Sequence, residues 1–272
     1  FNRLIQEGAY TKELIATFPS QTFPSHASQA TGTYPSEHGV LLSDYFDRGQ
    51  EESYESAGHS YLLQTEPIWS TAQRQGIRTA VMHWPMSYLQ VGKGKSAYFA
   101  DYYDYTLSDE ERLNDLLDIW ERDRSRKPLR FMMGYVSGLD KFGHRFGPDS
   151  GDMVPIIEHI DRLCGNFIDR AISIFEKKRG PHDSLYILIT TDHGMDTVHT
   201  DVNIDRLIGP VGDEDLICIT SGNMAMIYLH DIASVTQRKR IEAKIIKRLH
   251  DYDFLQAFAR DELPPDWHYA HP

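Results

Sequence analysis

Hydrophobic positions follow two alternating patterns along the chain. Short apolar runs predict buried strands, which lie at residues 14–18, 77–84 and 129–136. Between the runs, apolar residues recur every three or four positions, and this spacing predicts helices over residues 22–31, 108–120 and 154–175. Alternating strands and helices favour an α/β domain with a mostly parallel sheet.

Three further patterns refine this prediction. The continuous apolar run at 185–189 is typical of a central parallel strand that is covered on both faces. Ser108 and Glu111 have the spacing of a capping box at the start of a helix. From 198 to 263 the pattern changes and predicts a small α+β insertion or subdomain within one domain spanning 1–272. Its predicted elements are strands over 215–220, 224–229 and 254–259 and a helix over 241–249.

Charge narrows the possible functions. The 272 residues include 28 basic and 40 acidic side chains, a formal net charge of −12. Such a chain repels a phosphate backbone, so we expect no nucleic-acid partner. A small anionic substrate would need a local positive charge, such as a metal ion. No apolar run is long enough to predict a membrane span, and the two cysteines, Cys164 and Cys218, form no metal-spaced pair.

Polar residues follow three of the predicted strands, where ligands bind in open α/β sheets. Asp140 and His144 come after the run at 129–136, and Asp192 and His193 come after the run at 185–189. Carboxylate and imidazole groups together suit zinc, and two such pairs suit a two-metal site for displacement at phosphorus. The alternative for each pair is an N-capping aspartate beside a surface histidine.

Thr22 stands at the predicted start of a helix, with Pro24 just inside the first turn. An isolated threonine at this position is typically an ordinary N-cap. The alternative is a nucleophile, because a helix N-terminus stabilises both an alkoxide and a phosphate anion.

Together these segments resemble the nucleotide pyrophosphatase/phosphodiesterase family of the alkaline phosphatase superfamily. The resemblance covers nearly the whole chain, in the family's order of motifs. It rests on TFPSH at 22–26, TGTYP at 31–35, HGV at 38–40, WP at 84–85, the stretch 103–112, DKFGHRFGP at 140–148 and TDHGM at 191–195.

The resemblance implies an alkaline phosphatase-like three-layer α/β sandwich and a zinc-dependent phosphodiesterase or nucleotide pyrophosphatase. It implies that Thr22 is the nucleophile, forms a phospho-threonine intermediate and also contacts a zinc ion. Two zinc ions are implied, one bound by Asp192 and His193 and the other by Asp140 and His144. Phe23 and Tyr103 match positions that stack on a nucleobase, and Trp84 matches a residue near the substrate pocket. For these three aromatic residues, packing in the core or at its rim is the alternative.

This sequence also departs from the family pattern. Two of the family's metal ligands have no counterpart, and we expect the chain to be truncated at both ends. Ser43 replaces an asparagine that helps to hold a phosphate oxygen in the family; it stays a candidate substrate-binding residue, but a hydroxyl is a different donor from an amide. Gly138 and Leu139 replace the Glu-Pro that precedes the metal-binding aspartate.

Several alternatives therefore remain open from the sequence. A phosphomonoesterase, phosphonate hydrolase or sulfatase-type hydrolase would keep the fold, and a catalytically degenerate binding module would keep only the scaffold. Nucleotides, dinucleotides, glycerophosphodiesters and lysophospholipids are all candidate substrates. The resemblance implies a periplasmic, secreted or membrane-anchored ectodomain, and the oligomeric state is not predicted.

Overall fold

A computed structural model describes residues 1–47, 52–54, 58–210, 216–229 and 234–271 of the chain. Its α-helices are α1 (Asn2–Glu7), α2 (Thr22–Thr31), α3 (Pro35–His38), α4 (Ile68–Arg74), α5 (Asp109–Arg122), α6 (Gly138–Phe146), α7 (Met153–Lys178), α8 (Ile204–Ile208) and α9 (Val235–Leu249). Its strands are β1 (Tyr45–Asp47), β2 (Glu52–Tyr54), β3 (Arg78–Val81), β4 (Tyr98–Phe99), β5 (Leu129–Met133), β6 (Leu216–Ser221) and β7 (Met224–Leu229). In the described part of the chain, no helix combines the length and apolar character needed to cross a bilayer.

The central sheet is parallel and has the order β4–β3–β5. Strand β3 is shorter than the predicted run of 77–84, because His83 and Met86 have left-handed backbone angles (φ 60° and 65°) that end the extended chain. The ladder between β3 and β5 ends at the pair Val81 and Met133, so β5 also stops before residue 136. β1 and β2 form a small antiparallel pair, and β6 and β7 form a hairpin.

Helices cover both faces of this sheet. Neighbouring residues on a strand point to opposite faces, and Ala80 and Val81 of β3 accordingly belong to two different apolar clusters. On one face, the buried side chains of α5 and α7 pack against Ala80 and Leu129. On the other face, Ala30 of α2 and Trp69 of α4 pack against Val81. The predicted three layers are therefore present.

The predicted helix signals are confirmed. Ser108 Oγ accepts a hydrogen bond from the Glu111 backbone N at 3.2 Å, and Glu111 Oε2 accepts one from the Ser108 backbone N at 2.7 Å. This capping box starts α5, which continues to Arg122, two residues beyond the prediction. Helix α2 has the predicted bounds, and α7 is longer than predicted at both ends.

Three predicted strands are wrong. The run 185–189 is not a strand, and Tyr186 and Leu188 are 90% and 88% exposed, whereas Leu185 and Ile187 pack against the α5–α7 core. Side chains on only one face of this segment are covered, and no strand pairs with its edges among the described residues. The segments 14–18 and 254–259 also lack ladder hydrogen bonds in the described chain, and Ile15 is 94% exposed.

The region 198–263 has its own small core. Ile208 of α8 packs with Ile241, Ile245 and Leu249 of α9, and the hairpin β6–β7 lies against them. The predicted hairpin is confirmed from Leu216 onward; position 215 lies outside the described residues. Helix α9 begins six residues before the predicted start. This grouping supports a subdomain, and the division of the chain into domains stays a prediction.

Replacing Leu117 by alanine is expected to destabilise the protein. Leu117 is 1% exposed and lies in the core between α5, α7 and the sheet. We expect Leu117→Ala to lower the free energy of unfolding by about 2–5 kcal/mol, through lost burial and a residual cavity. Urea unfolding measures this loss. Asp115→Ala, at an exposed position of the same helix, should change the stability by less than about 0.5 kcal/mol. Equal effects of the two substitutions would contradict the assigned core.

Candidate metal and nucleophile site

Thr22 is the first residue of α2, and Gln21 is its N-cap. Pro24 lies in the first turn, where its missing N–H costs nothing. The remaining first-turn N–H groups have no partner within the helix, and they give this end a partial positive charge. The backbone therefore places the Thr22 hydroxyl where an anion is favoured.

Asp140 and His144 lie on one face of α6, because they are four residues apart in a helix. This helix follows β5 and so starts at the carboxyl end of the parallel sheet. His144 Nε2 lies 3.4 Å from Asp140 Oδ1. That carboxylate oxygen is buried and has no hydrogen-bond partner. Such an orphaned acceptor is costly unless something positive binds it.

Asp192 and His193 lie in a loop that reaches back to α2. His193 Nδ1 donates a hydrogen bond to the Gly194 carbonyl at 2.8 Å, because a carbonyl can only accept. The other ring nitrogen, Nε2, is therefore unprotonated in the neutral ring. It accepts a hydrogen bond from the Thr22 hydroxyl at 3.2 Å and lies 3.3 Å from Asp192 Oδ2.

The two predicted pairs of ligands come together at this point. His193 Nε2 is 3.9 Å from Asp140 Oδ1, so the α6 pair and the loop pair face each other beside Thr22. The sequence placed these five residues on three separate segments, and the structure brings all five into one cluster. Asp192 and His193 are largely buried, whereas the His144 side chain is 73% exposed.

The donors within each pair have the spacing that zinc requires. Zinc binds nitrogen and oxygen ligands at ~2.0–2.1 Å in a tetrahedral arrangement, which separates two ligand atoms by about 3.3 Å. The Asp192–His193 and Asp140–His144 donor atoms are 3.3 and 3.4 Å apart. Across the described residues, no group of three or more His, Cys, Asp or Glu side chains forms a ready-made metal site. These residues fit zinc as pairs of ligands, and neither pair completes a site by itself.

His26 also belongs to this cluster, although the sequence analysis gave it no role. Its Nδ1 donates to the Thr22 carbonyl at 2.7 Å and lies 3.4 Å from Asp192 Oδ2. Burial lowers the pKa of His26, and the charge of Asp192 opposes this only in part. A neutral His26 links the first turn of α2 to the loop ligand. Its place in the same motif as Thr22 was the available signal.

The aromatic residues divide into two groups. Phe23 packs with Ala27, Val40 and Met86. Trp84 is buried, packs edge-on to the His26 ring, and donates from Nε1 to the His26 carbonyl at 3.4 Å. These contacts support the packing alternative for Phe23 and Trp84.

Tyr103 lies partly open to solvent. Its hydroxyl donates to Ser137 Oγ at 3.0 Å, and the Arg112 guanidinium lies 4.4 Å from the ring centroid. These contacts fix the orientation of the ring without covering it fully.

Tyr135 is a further residue that the sequence analysis missed. Its ring packs edge-on to the His26 ring, with 5.1 Å between the centroids, and burial together with the charges of Asp192 and Asp140 raises the pKa of its hydroxyl. Its position directly after β5 was the only available signal. Ser43 is half-buried and makes no hydrogen bond within the described residues, so its proposed contact with substrate stays a prediction.

Comparison with known proteins identifies relatives across the full chain. A bis(5'-adenosyl)-triphosphatase of Xenopus laevis is 28% identical over 98% of this chain and 56% of its own length. The human ectonucleotide pyrophosphatase/phosphodiesterase family member 5 is 26% identical over 100% of this chain and 54% of its own length. The chain thus spans about half the length of these relatives.

The fold comparison gives the same result. The solved structure of a murine ectonucleotide pyrophosphatase/phosphodiesterase 5 matches 96% of this chain and 67% of its own chain, with a TM-score of 0.79 and 22% identity. This likeness confirms the alkaline phosphatase-like α/β fold. The model of the type I phosphodiesterase/nucleotide pyrophosphatase family matches residues 1–272. The chain therefore belongs to the type I phosphodiesterase/nucleotide pyrophosphatase family.

Proposed function

We propose that the protein is a zinc-dependent phosphodiesterase or nucleotide pyrophosphatase in which Thr22 is the nucleophile. The observation that carries this proposal is the 3.2 Å contact between Thr22 Oγ1 and His193 Nε2, next to an orphaned oxygen of Asp140. The alternative that Thr22 is an ordinary N-cap is wrong, because Gln21 is the N-cap of α2.

The proposed reaction has two displacements at phosphorus. The Thr22 oxygen attacks the phosphodiester, its bond to phosphorus forms, and the bond to the leaving alcohol or phosphate breaks. The first-turn N–H groups of α2 orient the phosphoryl oxygens, and water then cleaves the phospho-threonine and restores the hydroxyl. Zinc, when bound, would lower the pKa of the Thr22 hydroxyl and stabilise the leaving oxygen. Asp192 and His193 would hold one ion and Asp140 and His144 the other.

Known relatives support the nucleophile and a nucleotide substrate. The Xenopus laevis relative is named a bis(5'-adenosyl)-triphosphatase. The murine structural relative was also solved as an inactive variant with one threonine replaced by alanine, in complex with AMP. We therefore propose a nucleotide-bearing diester or pyrophosphate as the substrate, with Tyr103 as the stacking surface. Relatives named ectonucleotide and venom phosphodiesterases support a location outside the cytosol.

We also propose that residues 1–272 belong to one catalytic domain with the region 198–263 as its subdomain. The support is a pair of reciprocal hydrogen bonds between Gln21 and Ser221. Gln21 Nε2 donates to the Ser221 carbonyl at 2.7 Å, and Ser221 Oγ donates to Gln21 Oε1 at 3.2 Å. The hairpin β6–β7 is thereby attached to the residue that precedes Thr22.

The proposed activity predicts a preference between two chromogenic esters. We expect the complete, zinc-loaded protein to hydrolyse bis-p-nitrophenyl phosphate faster than p-nitrophenyl phosphate. Among the described residues, only histidines form ion pairs with Asp140 and Asp192. No lysine or arginine paired there would balance the additional negative charge of a monoester, so the diester should be preferred. A chelator should remove the activity and added zinc should restore it. Faster monoester hydrolysis would favour the phosphomonoesterase alternative, and no turnover with bound zinc would favour a binding module.

Removal of the Thr22 hydroxyl should stop turnover. Thr22→Ala is expected to reduce kcat by at least about 10³-fold, because the attacking oxygen is lost, while leaving zinc content and melting temperature nearly unchanged. Thr22→Ser keeps an oxygen and should retain part of the activity. Ser20→Ala removes an exposed hydroxyl two residues away and is the matched control. Wild-type rates for Thr22→Ala would exclude the nucleophile assignment.

Loss of either ligand pair should lower zinc binding. We expect Asp192→Asn and His144→Ala each to reduce the number of zinc ions per chain, measured by atomic emission after dialysis. The physical reason is that a pair with one donor left cannot hold its ion tightly. His159→Ala removes an exposed histidine on α7 and is the control. If the zinc content of both ligand variants matches that of the control, the ligand assignment is incorrect.

A further inference from the structure

Asp109 is a largely buried carboxylate that connects the start of α5 to the start of α6. It is the first residue of α5, and its carboxylate accepts hydrogen bonds from two backbone N–H groups of another element. Oδ1 accepts from Ser137 N at 3.0 Å, and Oδ2 accepts from Gly138 N at 2.8 Å. These two N–H groups belong to the N-cap and the first residue of α6. Asp109 therefore caps the helix that carries Asp140 and His144, from 29 residues away in sequence.

A buried arginine holds this carboxylate in place. Arg112 is 4% exposed, and one of its terminal nitrogens donates to Asp109 Oδ1 at 2.8 Å. The other terminal nitrogen donates to the Asp104 carbonyl at 3.0 Å. Because the pair is almost fully removed from water, neither charge is tolerated without the other. The position of Asp109 is thus fixed by Arg112 as well as by the first N–H groups of α6.

The Asp109–Arg112 pair is also connected to Tyr103, the candidate stacking residue. The Arg112 guanidinium lies over the Tyr103 ring, and the Tyr103 hydroxyl donates to Ser137 Oγ. Ser137 Oγ in turn donates to Asp109 Oδ1 at 3.2 Å. One carboxylate therefore holds both the start of the ligand helix and the orientation of Tyr103.

Gly138 makes the close approach possible. A Cβ at this position would lie 2.7 Å from Asp109 Oδ2 and 3.0 Å from Ile160 Cδ1. Any side chain at 138 would therefore point into the space that the Asp109 carboxylate fills. With Asp109 truncated to alanine, a glutamate at 138 would extend into the emptied space beside Arg112.

We propose that Asp109 is a positioning residue of the active site, which sets α6 and Tyr103 relative to Thr22. This inference rests on the proposed function. Among the described residues, Asp109 makes no hydrogen bond or ion pair with a candidate metal ligand, and it acts through the backbone of Ser137 and Gly138.

The test uses the complete protein and four variants. Asp109→Asn keeps the size but loses the charge, and Asp109→Ala removes the acceptor altogether. Asp109→Ala combined with Gly138→Glu moves the carboxylate to the opposite side of the same space. Glu110→Ala is the matched control, because Glu110 is an exposed carboxylate in the same first turn of α5.

For Asp109→Asn and Asp109→Ala we expect a loss of about 10–100-fold in kcat for bis-p-nitrophenyl phosphate, with a similar loss of zinc affinity in a chelator competition. KM should change by less than about threefold, since this small ester does not need Tyr103. The variant with the relocated carboxylate should recover most of the kcat. Melting temperatures of all variants separate loss of folding from loss of position.

The outcomes distinguish the two proposals. If the wild-type protein shows no chelator-sensitive turnover, the proposed function fails, and this inference fails with it. If the wild type is active and both Asp109 variants keep the kcat and zinc affinity of Glu110→Ala, only the inference is overturned, even if they melt earlier. Lost kcat that the relocated carboxylate restores supports it, because a merely stabilising residue would not show this rescue in kcat.

Discussion

The burial of α2 against the sheet is the interaction on which the site depends. Ala27 and Ala30 are almost fully covered: the small side chain of Ala30 allows the helix to lie close to Trp69 and the end of β3, and Ala27 packs with Val40 and Met86. This packing fixes the first turn of α2, and with it Thr22, beyond the carboxyl end of the parallel strands. Residues with larger side chains at these positions would move the helix, and the hydroxyl would leave the reach of His193.

The features that the sequence predicted well are those determined by nearby residues. The capping box of Ser108 and Glu111 operates over three residues, and the apolar stripe of α7 repeats within each turn. The same holds for the position of Thr22 in the first turn of α2. It also holds for the Asp140–His144 pair, because two side chains four residues apart share a face of α6. The resemblance to the family gave the expectation that the Asp140–His144 and Asp192–His193 pairs lie close together. Helix geometry accounts for the arrangement within the first pair only.

The features that the sequence could not predict depend on distant partners. The apolar run at 185–189 carries the composition of a central strand, yet a strand also needs neighbours on its edges, and the described chain provides none. The contact of His26 with Asp192 joins residues that are far apart in sequence, and so does the contact of Asp109 with Gly138. A carboxylate on one helix that caps another leaves no periodic signal.

The charges around the site give the physical basis for its proposed dependence on metal. Among the described residues, the ion pairs that Asp140 and Asp192 form are with histidines. Arg112 is already neutralised by Asp109. An anionic diester that approached Thr22 would therefore meet two carboxylates that no lysine or arginine of the described residues pairs with, in a chain of net charge −12. Under the proposed function, divalent cations held by these same carboxylates would reverse the local field, so that the groups that repel the substrate would become those that bind it.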